Sequence, residues 1–230
     1  MLSPHDHERI ERATAAAEAS TCGEIVCVVA DEASSYAEVA LAWAASSALV
    51  LPLLVLAVAN YSPYWDPTEW SWRSAHVAAT HTNVMAALTV YALSQAILFV
   101  GTLLLVSIPA VRRLLTPGSL KRGYVHKRAL EQFFAQNLHK TRDRTGVLIY
   151  ASLKERRAEV ITDTGIDAKV AANTWDDVIA ALVAGMKAGE PGNGFVAAIE
   201  KCGDALALHF PAQGPKADEL PDAIIEIATP

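Results

Sequence analysis

The chain has 230 residues, room for one or two domains, and its 52% hydrophobic and 19% charged content is more apolar than ordinary globular composition. A formal net charge of −6, with no long basic run outside Arg112 to Arg128, argues against a nucleic-acid surface. Cys22, Cys27 and Cys202 are odd in number and lack CxxC spacing, which argues against a disulfide framework or zinc site and suits buried thiols in a reducing compartment.

The N-terminal stretch MLSPHDHERIERATAAAEAS lacks the basic and apolar regions of a secretory signal, so this segment is expected to stay unexported. Ser3-Pro4, with Asp6 and Glu8 following, predicts a helix start, because proline fits the first helical position and acids suit the positive end of the dipole. Ile10, Ala13 and Ala17 give that helix a narrow apolar face, and Gly23 ends it. EIVCVVA, Glu24 to Ala30, is a β-branched run of the buried-strand type. A lone strand needs partners from elsewhere.

Two uncharged runs follow, Val39 to Asn60 and Val84 to Val111. About 20 apolar residues rising 1.5 Å each cross a hydrocarbon core of about 30 Å, so both are expected to span a bilayer. Pro52 implies a kink in the first span, and Gln95 is placed as an interhelical hydrogen bonder in the second. Between them, Tyr61, Tyr64, Trp65, Trp70 and Trp72 suit the headgroup level, and His76 and His81 read as interfacial polar residues, not metal ligands. Arg112, Arg113, Lys121, Arg122, Lys127 and Arg128 crowd the exit of the second run, against Arg73 alone in the intervening loop. The positive-inside rule then puts both termini and both polar segments in the cytoplasm, in a multi-pass protein of a bacterial inner or plasma membrane.

Beyond the runs, Tyr124 to Lys140 reads as an amphipathic helix, with Leu130, Phe133, Phe134 and Leu138 on one side. Gly146 to Leu153 and Arg157 to Asp163 read as strands about the turn Lys154-Glu155-Arg156. Thr174 opens a helix, with Asp177 at capping-box spacing; Ala188 to Gly194 is a breaker; Phe195 to Leu208 is a final helix. Residues after Phe210 read as a loose tail in which IIEI, Ile224 to Ile227, is a short docking segment. The predicted class is α/β, a small mixed sheet sandwiched by helices, with an inserted two-helix transmembrane hairpin. Residues 1–38 and 112–210 form the split cytoplasmic domain, 39–111 the hairpin and 211–230 a flexible tail.

The stretches GEIVCVVA (Gly23 to Ala30) and RTGVLIYASLKERRAEVITDTGID (Arg144 to Asp167), the helix from Thr174 and the breaker before Gly194 resemble the TPM domain family. The likeness covers most of Met1 to Phe210 apart from Val39 to Val111. It implies an α/β/α sandwich and, from some members, divalent cation binding, weak acid phosphatase activity, or a role in membrane-protein repair or assembly. Carried over by position, Asp167 falls at the family's acidic position after Gly165, while a shortened, serine-rich segment departs from the longer acidic loops of exported relatives.

Oxygen-only ligands at strand ends suit Ca²⁺ or Mg²⁺, so Asp31, Asp163 and Asp167 are the candidate metal set, with Asp31 and Asp163 expected at one sheet edge. Asp176 and Asp177 are further carboxylates, though helix-dipole placement accounts for them equally. The segment Asp163 to Asp167 is expected to form a small acidic edge site for a weak cation or a partner's basic segment, with Gly165 at positive φ. No nucleophile motif is present, so no catalytic residue is assigned and His126, His139 and His209 read as solvated. Two functions follow: a membrane-anchored interaction or assembly and quality-control module for other membrane proteins, or a weak divalent-metal-dependent phosphatase tethered to the membrane.

Overall fold

Ser3 is the N-cap of the first helix. Its hydroxyl accepts from the Asp6 N–H (3.1 Å), while the Ser3 N–H donates back to the Asp6 carboxylate (3.1 Å), closing a capping box. That hydroxyl also donates to the Asp6 carboxylate, holding its carboxyl below the usual value. The computed structural model describes residues 2–61, 84–171, 173–212 and 220–227. They fall into two units, 1–35 with 117–230, and 36–116.

The first unit contains α1 (Pro4–Glu18), β1 (Glu24–Ala30), and, after the second unit, α5 (Gly118–Ala135) and a 3₁₀ turn (Leu138–Lys140). It continues with β2 (Gly146–Ser152), β3 (Arg157–Thr162), the short α6 (Thr164–Asp167), α7 (Thr174–Ala188), α8 (Pro191–His209) and β4 (Ile225–Ile227). The sheet order is β3-β2-β1-β4. β1 runs parallel to β2, Glu24 opposite Gly146 and Ala30 opposite Ser152, and β3 returns antiparallel to β2. β1 thus finds its main partner beyond the apolar runs, as its isolation in the sequence required.

Alternation along β1 sorts two cores. Ile25, Cys27 and Val29 join Val147 and Ile149 in a cluster with Ile10 of α1, Leu182 of α7 and Ile199 of α8. Val26, Val28 and Ala30 join Leu148 and Tyr150 against Val125, Ala129 and Phe133 of α5. β1 and β2 are buried along their whole length, as strands covered by helices on both faces must be, and each fully buried Val or Ile contributes about 1.5–3 kcal/mol.

Two helix boundaries and one cap differ from expectation. Asn137, at φ 59°, separates α5 from the 3₁₀ turn, so Tyr124 to Lys140 is not one helix. α8 starts at Pro191, not Phe195: the left-handed Gly189 ends α7 and proline takes the next helix's first position, which shrinks the breaker. Asn173 sits at the N-cap position of α7 without a side-chain bond, so the Thr174–Asp177 capping box does not form. Within the expected tail, Ile225–Ile227 becomes β4, parallel to β1 opposite Val28 to Ala30.

The second unit holds α2 (Ala37–Tyr61), α3 (Val84–Ser107) and α4 (Pro109–Leu115). α2 continues through Pro52 and packs on α3, where the Ser47 hydroxyl donates to Thr102 Oγ1 (2.8 Å). Gln95 does not make the bond between α2 and α3; its amide donates to the Tyr91 hydroxyl one turn back on its own helix (2.8 Å). The second apolar run does not form one helix to Val111. Ile108 is extended ahead of Pro109, which disfavours helical geometry in the residue before it. Both α2 and α3 are long and apolar enough to cross a membrane. Tyr61 ends α2, while Tyr64, Trp65, Trp70, Trp72, His76 and His81 lie outside the described residues.

Candidate functional site

The parallel β1–β2 pair ends at Ala30 and Ser152, and the tight turn beyond β2 forms the first polar cluster. Its chain reversal is closed by the Arg156 N–H donating to the Leu153 carbonyl (3.2 Å), with Arg156 in the left-handed region at φ 50°. The reversal brings Lys154 over the end of β1. Its ammonium lies 2.6 Å from Asp31 and 3.5 Å from the buried Glu32. The hydrogen bond to Asp31, aided by the charges of Asp31 and Glu32, holds the Lys154 ammonium above its usual pKa. Lys154 therefore stays charged and acts as an ion-pair partner, not a base. Glu155 accepts from Ser152 Oγ and from the Ala33 N–H (3.3 Å), tying the turn to the segment after β1.

The second cluster is at the other end of the sheet. Asp163 caps α6, accepting from the Thr164 N–H at 2.7 Å, and its other oxygen lies 3.2 Å from Arg144 Nε. Arg144 also donates to the His139 carbonyl (2.9 Å) and to Thr164 Oγ1 (3.3 Å). Asp163 is buried, and Asp167 accepts from Thr162 Oγ1 while remaining exposed. Gly165 is not at positive φ, contrary to expectation. It sits within α6, where an added Cβ would come within 2.5 Å of the Arg144 carbonyl oxygen, so close backbone approach and not turn geometry is what requires glycine. A cleft of about 340 Å³ opens at Asp143 and Thr145, lined also by Cys22, Lys169, His209 and Phe210. Lys169 Nζ lies 4.7 Å from the centre of the Phe210 ring, a cation–π contact.

The three acids proposed as a metal set do not share a site. Asp31 follows the residue paired with Ser152, whereas Asp163 follows the residue paired with Val147, near the other end of β2. At about 3.3 Å per residue, the length of β2 separates them by roughly 20 Å. Each already has a cation of its own, Lys154 or Arg144. Among the described residues, no group of three His, Cys, Asp or Glu side chains is placed to hold a metal ion. The residues present therefore do not fit Ca²⁺ or Mg²⁺ as a joint ligand set.

Burial also quiets two of the thiols. It pushes Cys27 up to about 12 and raises Cys202 as well, so neither is a nucleophile near neutral pH. Cys22 is half-buried. Alkylation of the native protein at pH 8, read by mass spectrometry, is expected to modify Cys22 alone, with Cys27 and Cys202 reacting only after denaturation. Native labelling of Cys27 would show that the sheet opens locally.

Residues 111–205 match the TPM domain model. The chain is similar in fold to the BA42 protein of the psychrophilic bacterium Bizionia argentinensis, solved by NMR, at TM-score 0.55 and 20% identity, with 98% of this chain and 95% of that one covered. No curated protein matches the chain.

Sequence reasoning missed the basic partners of these acids. Arg144 carries a positive φ of 56° that no residue type signals, and Lys154 read as a plain turn residue until the β1–β2 register brought it over Asp31. A signal did exist for Asp163: Asp-Thr-Gly at a strand end is N-cap chemistry, and capping is what its carboxylate does.

Proposed function

We propose that the protein is a membrane-anchored TPM module, acting in interaction or in assembly and quality control of other membrane proteins at the cytoplasmic face. The observation that carries the anchoring is the exposure of α2 and α3. Only 22% of the apolar window in α2 and 6% of that in α3 is buried, and Leu53, Val55, Val58, Leu93, Ile97 and Leu104 are all more than half exposed. Helices apolar all round belong in a bilayer or a large core, and these leave their leucines uncovered. Orientation draws on the basic residues from Arg112 to Arg128. An interaction role draws on carboxylates that are capped and ion-paired instead of converging.

Single-cysteine labelling of intact cells, in a Cys22→Ser background, tests the topology. Thr68→Cys, between the two apolar runs, is expected to react with an impermeant reagent, and the exposed Lys201→Cys only after lysis. The reverse pattern would overturn the cytoplasmic placement. The phosphatase reading, which draws on the family model's phosphatase label, would return if calorimetry of the detergent-solubilised protein showed Ca²⁺ or Mg²⁺ binding that Asp163→Asn abolished.

A further inference from the structure

β1 is held very unequally on its two sides. Seven residue pairs join it to β2, but only three, Val28 to Ala30 opposite Ile225 to Ile227, join it to β4. β4 is half-buried throughout. Its side chains are nonetheless sorted as specifically as those of a central strand. Ile225 and Ile227 pack on the α5 side of the sheet, and Ile224 is buried in the cluster of α1, α7 and α8. Glu226 projects towards α1, where its Oε1 accepts from the Leu2 N–H at 3.0 Å and lies 3.6 Å from His7 Nε2. A backbone N–H beside an imidazole is a receptor for one carboxylate, built at a fixed distance from a strand edge.

We propose that this edge of β1 is a strand-docking site for an extended segment of another protein with the pattern aliphatic, aliphatic, acidic, aliphatic, and that β4 is the resident occupant such a segment displaces. The resident defines the chemistry of its competitor. Main-chain bonds to Val28–Ala30 give sequence-independent affinity, the two faces take aliphatic side chains, and the Leu2–His7 receptor selects the acid. A three-residue strand is the element of this sheet with the fewest bonds to lose, so it is the one that opens without unfolding the core. The proposal gives the interaction reading its partner class and rests on it; the labelling experiment tests membrane placement separately, so the two fail independently.

The test uses the full-length protein in detergent and a fluorescent peptide of sequence DAIIEI. Glu226→Ala removes the resident carboxylate but leaves the receptor intact. The peptide is expected to bind Glu226→Ala about 10- to 100-fold more tightly than the parent chain, the range for a charge-assisted hydrogen bond. The peptide DAIIKI is expected to bind neither chain. Equal affinity for parent and variant, equal binding of DAIIKI, or no binding of DAIIEI to either chain would overturn the proposal. Amide exchange in the unaltered chain gives an independent reading. Ile225 to Ile227 are expected to exchange at least about tenfold faster than the β2 amides, as local opening requires, and equal protection would show that β4 does not detach.

Discussion

Replacing Val28 with proline is expected to abolish the cooperative thermal transition of the α/β unit. Val28 is fully buried, faces the α5 core, and is paired with Tyr150 on one side and Ile225 on the other. Proline there removes a ladder donor and forces its ring against neighbouring backbone, in a strand with no solvent edge to absorb the change. Leaving a buried ladder acceptor without its donor costs about 1–3 kcal/mol before the ring clash is added, a large share of the about 5–15 kcal/mol by which domains are stable. Near-UV circular dichroism of the detergent-solubilised variant would show a sloping baseline without a midpoint. A transition within a few degrees of the parent would mean that β1 is peripheral and that the sheet does not close across the apolar helices.

Gly185→Val is expected to have the second-largest effect, by prying α7 from α8. A Cβ built on Gly185 lies 2.4 Å from Gly194 Cα and 2.6 Å from its nitrogen, both backbone atoms. A side chain could rotate away, but two helices pressed together at paired glycines can only separate. Overpacking of this kind costs about 1–3 kcal/mol or more, and at about 2–4 °C per kcal/mol the midpoint should fall by about 5–10 °C. The control has the opposite sign. A Cβ at Gly123, exposed within α5, meets nothing within 4 Å, so Gly123→Ala should gain about 0.5–1 kcal/mol of helix propensity. If both changes moved the midpoint alike, glycine contact would not explain the α7–α8 packing.

The same glycines mark where sequence reading succeeded and where it failed. β1, β2 and β3 were legible almost to the residue, because β-branched runs bounded by Gly146 and the Lys154 turn carry their own punctuation. The start of α8 was not. Pro191-Gly-Asn-Gly has breaker composition, and only contact with Gly185 shows that Gly194 serves helix packing. The capping box at Ser3 and Asp6 was only half legible: the helix start was clear, but Asp6 read as dipole compensation. Strand order was the hardest feature for the candidate site. Asp31 and Asp163 each end a strand; the Lys154 turn makes β3 antiparallel to β2, but nothing local tells that β1 runs parallel to it. That single long-range fact sends the two acids to opposite ends.

Glu24 pairs with Gly146, about 120 residues further along the chain. At a synthesis rate of about 5–20 residues per second, a ribosome takes on the order of 10 s to deliver β2 after β1 has emerged. For that interval β1 is an apolar strand with two open edges, the kind of segment that aggregates or engages chaperones. Among the described residues, α2, α3, α4, α5 and the 3₁₀ turn are made in between. The strand that anchors the sheet is therefore translated first and satisfied late, so the yield of folded domain depends on how quickly the intervening apolar segment is made and cleared. A slow codon run there would appear as misfolding of a sheet whose own sequence is intact.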